Sequence, residues 1–120
     1  ADISINFVKG VGSQSRNQSF IKKCYDVSAG GLSVVVSRSE AKFFNTSDTI
    51  LGAQLTIDGH IIYVDMEVVN NVKVTPDGQN NLFYAGAKIG LQFKQIEKAD
   101  KDFIEQFVFN LIDIDEIVGF

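Results

Sequence analysis

Six consecutive residues, Asp26-Val27-Ser28-Ala29-Gly30-Gly31, set a carboxylate, a hydroxyl and a pair of glycines in the spacing D-x-S-x-x-G. The chemistry on offer is recognition rather than bond-making. A carboxylate accepts two hydrogen bonds from the N–H edge of a guanine, a serine hydroxyl donates or accepts beside it, and glycine lets the backbone bend and come close to a flat ligand. The same residues also make a plain Asx or Ser turn between two strands, and the hexapeptide read alone leaves both readings open. Arg16 and Arg38 are the only arginines. Arg16 is a candidate phosphate contact, with a simple surface loop residue as the alternative.

Catalytic and metal chemistry are poorly supplied. His60 is the only histidine and follows Asp58-Gly59, where an exposed side chain is expected. Without a second His or Cys, the usual nucleophile–base pairs and the common zinc sites cannot be assembled. Cys24, the single cysteine, excludes an internal disulfide and fits a reducing cytoplasm; its place in an alternating run marks it as a packing residue. Asp113 and Asp115 lie in an acidic tail, where a solvated face explains them better than acid–base work. The expectation is a binding domain, with no enzyme activity, no metal and no cofactor.

The positioning elements must come from a chain of 120 residues, room for one domain over residues 1–120. It is 45% hydrophobic and 22% charged with a single Pro, an ordinary globular composition. The longest apolar stretches are only a few residues, so no helical membrane span is expected. The first residue is Ala1 rather than Met and no secretory leader is evident, so the expectation is a chain processed or cut from something longer. The net charge of −4 argues against a nucleic-acid polymer as partner. Charge is uneven: residues 1–47 carry six cations against three carboxylates, a net of +3, and residues 97–120 carry two against seven, a net of −5. An anionic ligand belongs with the N-terminal half.

Alternation at period 2 dominates the first 95 residues. Strands are predicted at Ile3–Phe7, Phe20–Val27 and Leu32–Ser37, with a polar loop over 10–19. Leu51, Ala53, Leu55 and Ile57 form the inner face of the next strand. Asp58-Gly59 makes a hairpin turn, and Ile62, Val64, Met66 and Val68 follow on one face until Asn70-Asn71 interrupts. After a turn at Thr75-Pro76-Asp77-Gly78, a long strand keeps Phe83, Ala85, Ala87, Ile89, Leu91 and Phe93 on one side. From Lys98 the period becomes 3.6, with Phe103, Phe107 and Leu111 on one stripe, Ile104, Val108 and Ile112 beside it, and Asp100 as N-cap. Strands of this length avoid bare edges by closing. The predicted fold is mainly β, a six-stranded antiparallel β-barrel with a C-terminal α-helix over one opening. Lys22 and Lys23 read as solvated charges, and the apolar side chains Ile114, Ile117, Val118 and Phe120 as a helix extension or a patch for another domain or protomer.

The D-x-S-x-x-G motif, the Leu32 run after it, Ile89-Gly90-Leu91-Gln92-Phe93 and the amphipathic helix come in an order and spacing that resembles the PilZ domain family over roughly residues 3–112. The resemblance implies a bacterial, cytoplasmic receptor domain for cyclic di-GMP. Binding would alter contacts with an adjoining domain or protein partner, in pathways such as motility or biofilm regulation. Asp26, Ser28 and Gly31 carry the family's second signature, with Gly30 beside them. The family's first signature, R-x-x-x-R ahead of the first strand, has no counterpart: neither Arg16 nor Arg38 has an arginine four residues away. Either that motif lies ahead of Ala1, or this is a divergent interaction module that does not bind the nucleotide. An oligonucleotide-binding barrel is disfavoured by the charge and by the lack of interleaved aromatic and basic residues. Homo-oligomerisation stays open.

Overall fold

Alternating side chains give each strand one apolar face, and the only way to bury six such faces at once without an edge is to close the sheet. The computed structural model describes residues 2–11, 16–74 and 85–111. Its strands are β1 (Ile3–Val11), β2 (Arg16–Ser28), β3 (Gly31–Ser37), β4 (Thr49–Ile57), β5 (His60–Val74) and β6 (Gly86–Gln95), with helices α1 (Arg38–Ala41) and α2 (Lys98–Leu111). The strands form a closed barrel in the order β1-β2-β3-β6-β5-β4, antiparallel throughout. The fold is the predicted one.

Inside, Phe7 and Phe20 stack with ring centroids 5.3 Å apart, and Phe44 meets both edge-on. Ile5, Val34, Leu55, Ile62, Met66 and Ile89 continue the core, and Ile104 of α2 is fully buried against it. Asp58 and Gly59 both adopt positive φ, 47° and 87°, the backbone that the β4–β5 hairpin turn requires.

Several boundaries differ from expectation, each for a local reason. The β1–β2 hairpin is longer than predicted, so the 10–19 loop shrinks and Arg16 opens β2 opposite Val11. A bulge between Ile50 and Ala53, with Gly52 at φ 65°, reverses the face: Leu51 is 70% exposed and Ile50 takes the interior. Asn70-Asn71 does not end β5. It marks another bulge, and the Asn71 amide donates to the Ala41 and Phe44 carbonyls at 2.9 and 2.8 Å.

The helix α1 was not anticipated, although Ser37-Arg38-Ser39-Glu40 spells a capping box, and both of its hydrogen bonds form. Lys22, expected to be solvated, is half-buried and pairs with Glu40 at 2.8 Å. Asp100 lies in the first turn of α2 rather than at its N-cap. Ile104 leads the buried stripe, while Leu111 is exposed. Ala85 is exposed just ahead of β6. The Thr75–Gly78 turn, Phe83, Ile112 and the tail over 113–120 lie outside the described residues.

Candidate functional site

The outer face of the β2-β3-β6-β5 sheet carries the chemistry-bearing residues in registered rows. Ser28 pairs with Gly31, and Gly31 with Gln92. In the next row Asp26 pairs with Ser33, Ser33 with Gly90, and Gly90 with Asn70. Gly31, Ser33 and Gly90 are small, so the sheet surface drops between taller neighbours. An open-sided cleft of about 470 Å³ results, lined by Asp26, Ser28, Gly30, Gly31, Ser33, Asn70, Lys88 and Gln92 among others.

Asp26 reaches this face only because the strand is irregular. Phe20, Lys22 and Cys24 alternate on the inner side of β2, and unbroken alternation would turn Asp26 inward with them. A bulge between Cys24 and Asp26 adds one residue, Tyr25, and re-aims the carboxylate outward. Its Oδ1 accepts a hydrogen bond from the Ser33 hydroxyl at 2.6 Å, and its Oδ2 lies 3.4 Å from the Lys88 ammonium. Lys88 Nζ also sits 4.5 Å above the Tyr25 ring. The cleft therefore offers a carboxylate and an ammonium side by side, and the Tyr25 ring, outside the lining itself, borders it through that ammonium.

The turn itself is only Ala29-Gly30, shorter than the 28–31 connection expected, because Ser28 belongs to β2 and Gly31 to β3. Ser28 Oγ accepts from Gly30 N–H at 3.3 Å and donates to the Gly31 carbonyl at 3.4 Å, and Gly30's carbonyl accepts from Phe93 N–H at 2.9 Å. Gly31 has a steric role: a Cβ there would lie 2.3 Å from the Leu91 carbonyl oxygen. At Gly90 the Asn70 side chain fills the space a Cβ would need, and its Oδ1 accepts from Gly90 N–H at 2.9 Å.

The structure thus brings Asp26, Ser28, Gly30 and Gly31 together. It does not bring Arg16 to them: that residue stands ten positions from Asp26 along β2, roughly 30 Å at the rise of an extended strand. Lys88, Ser33, Tyr25 and Asn70 escaped sequence reading because nothing local marks them; only the barrel's register aligns β6 and β5 with the turn. Cys24 is half-buried, and burial, aided by the Asp26 carboxylate, pushes its thiol up to about 12, so it stays protonated and unreactive. Among the described residues, no three His, Cys, Asp or Glu side chains converge to hold a metal ion. No helix among them is long and apolar enough to cross a membrane.

Comparison with known families matches residues 5–110 to the PilZ domain. No curated protein matches the sequence. Among solved structures, the chain is similar to K. pneumonia MrkH in complex with c-di-GMP, with a TM-score of 0.68 and 21% identity over 98% of this chain and 47% of that one. It is also similar to the PilZ domain of YcgR from Escherichia coli with c-di-GMP, with a TM-score of 0.63 and 10% identity over 92% of this chain and 81% of that one. At these identities the likeness is one of fold. The chain spans about half the length of the MrkH chains it matches.

Proposed function

This chain belongs to the PilZ domain family, and on that premise we propose that it is a receptor domain for cyclic di-GMP, a binding domain rather than an enzyme. One observation carries the reading: Asp26 and Ser28, which hold two places of the family's D-x-S-x-x-G signature, both face an open cleft of about 470 Å³ floored by small residues. Asp26 accepts the N–H edge of a guanine, as a carboxylate does for any paired donors. Ser28 supplies a hydroxyl beside it. Gly31 lets the turn lie against β6, and Gly30 leaves the approach unobstructed. The bound nucleotide bridges the β2–β3 turn and β6, and the signal passes on through altered contacts with an adjoining domain or partner in the bacterial cytoplasm.

Calorimetric titration of cyclic di-GMP into the protein tests this. Saturable binding is expected, weakened at least about tenfold in Asp26→Ala, the order lost with a charge-assisted hydrogen bond, and also weakened in Ser28→Ala. A folded protein that gives no binding heat sinks the receptor reading.

A second reading has its own support. Neither arginine has another four residues away, and both Asp26 oxygens already have partners in Ser33 and Lys88. On that reading the domain keeps the family's barrel as a protein-interaction module without the nucleotide. The same null titration, with the fold verified by circular dichroism, is its expected outcome.

A further inference from the structure

The D-x-S-x-x-G turn supplies the cleft with an acceptor for a base edge, but a nucleotide also brings anionic phosphate and a flat aromatic face. Building on the receptor reading above, we propose that Lys88 and Tyr25 form the other half of the site, Lys88 as its phosphate contact and Tyr25 as the face on which a purine stacks. Neither residue belongs to the turn motif.

The placement argues for it. Asp26 and Lys88 are the charged residues of the cleft lining, of opposite sign and 3.4 Å apart. A ligand with N–H donors beside a phosphate presents the complementary pair of charges, so it can divide the ion pair between its own groups with little net loss of electrostatic stabilisation. Lys88 is suited to move. Its side chain is 40% exposed, and its alternative contact is the ring of Tyr25 rather than a buried carboxylate. The four-carbon stem gives the ammonium the reach to follow a phosphate without disturbing β6.

Tyr25 is the extra residue of the bulge that turns Asp26 outward, and the Lys88 ammonium that pairs with Asp26 also lies over its ring. The ring is 67% exposed. An aromatic side chain left in solvent against the cation that lines the cleft is a stacking surface, and base–aromatic stacking tolerates any purine because every base has a π-face. Lysine takes the role at the phosphate as a point charge; arginine would add a planar fork. The nucleotide is then held by the turn at its base edge, by Tyr25 on its face and by Lys88 at its phosphate.

The test uses cyclic di-GMP as probe, titrated calorimetrically at low and moderate salt into wild type, Lys88→Met, Lys88→Arg, Tyr25→Ala, Tyr25→Phe and Asp26→Ala. The chain has three tyrosines and no tryptophan, so stacking on Tyr25 is also read directly as quenching of tyrosine fluorescence that vanishes in Tyr25→Phe. Expected results are an affinity loss of about tenfold in Lys88→Met and in Tyr25→Ala, as for single charge-assisted and stacking contacts. Lys88→Arg and Tyr25→Phe should hold affinity within a few-fold. Salt dependence should be weaker in Lys88→Met than in wild type, a change that merely positioning Asp26 would not produce. Binding that is lost in Asp26→Ala but unchanged in Lys88→Met and Tyr25→Ala overturns this inference and leaves the receptor reading standing. No binding by wild type overturns both.

Discussion

Gly30 and Gly31 stand side by side in the motif and do different work. A Cβ on Gly31 would drive into the Leu91 carbonyl of β6, 2.3 Å away, whereas on Gly30 its nearest neighbour would be Ser28 Oγ at 4.0 Å. Gly31→Ala should therefore destabilise by about 1–3 kcal/mol, the usual cost of overpacking, while Gly30→Ala should change stability by less than about 0.5 kcal/mol. Urea denaturation of the two variants checks this, and equal midpoints would refute the steric role of Gly31. The sequence displayed both glycines but not which one β6 approaches, since that depends on pairing with residues some sixty positions downstream. Asp26 was equally legible as a residue and illegible in its aim. Alternation alone points it inward, and only the bulge at Tyr25 turns it to the cleft.

Between residue and fold, the elements that escaped sequence reading are those whose signals are short. Ser37-Arg38-Ser39-Glu40 is a capping box in plain letters, but it opens a helix of four residues, below the length at which apolar periodicity can be recognised. That small helix matters because Glu40 also receives the Lys22 ammonium of β2 at 2.8 Å. Burial raises the Glu40 carboxyl, but the hydrogen bonds from Lys22 and Ser37 outweigh it and hold the group below its ordinary value of 4.5. Asp48 behaves alike: burial raises it, and Lys9 and the Asn45 N–H overcome this and hold it below 3.8. A carboxyl whose folded-state pKa is depressed contributes stability that is fully present above its unfolded value and is lost as pH falls through the folded one. Unfolding midpoints in urea should hold near neutrality and drop as pH falls below these ordinary values. In Lys22→Met the protein should be less stable at neutral pH and lose less on acidification, because its Glu40, left with the Ser37 hydrogen bonds alone, gains less by being charged. Parallel pH profiles for the two proteins would show that the ion pair adds nothing.

At the scale of the whole molecule, the sequence was most informative, because six half-apolar strands with short connections have few ways to bury their faces, and closure removes every edge at once. Strand order is a different matter: β3 lies next to β6, not β4, and no local pattern states that. The helix α2 was legible as amphipathic, but its docking face was not, since Phe103, Ile104, Phe107 and Val108 are all apolar and the barrel decides among them. The barrel takes Ile104 completely, leaves Phe103 half-buried with its ring stacked on His60 at 4.0 Å, and leaves Leu111 exposed. That arrangement makes α2 part of the core and not an appendage, and it ties the helix to the tip of the β4–β5 hairpin. Ile104→Ala should then cost about 2–4 kcal/mol, as a large-to-small change in a core does, and His60→Ala about 0.5–1.5 kcal/mol for the lost ring contact. Leu111→Ala should stay within about 0.5 kcal/mol of the parent. Far-UV circular dichroism and tyrosine fluorescence should report one coincident urea transition in all three, because a helix that shares the barrel's core unfolds with it. If the helical signal is lost at lower urea than the tyrosine signal, α2 folds on the barrel as a separate layer, and its apolar face is then free to exchange the barrel for another surface.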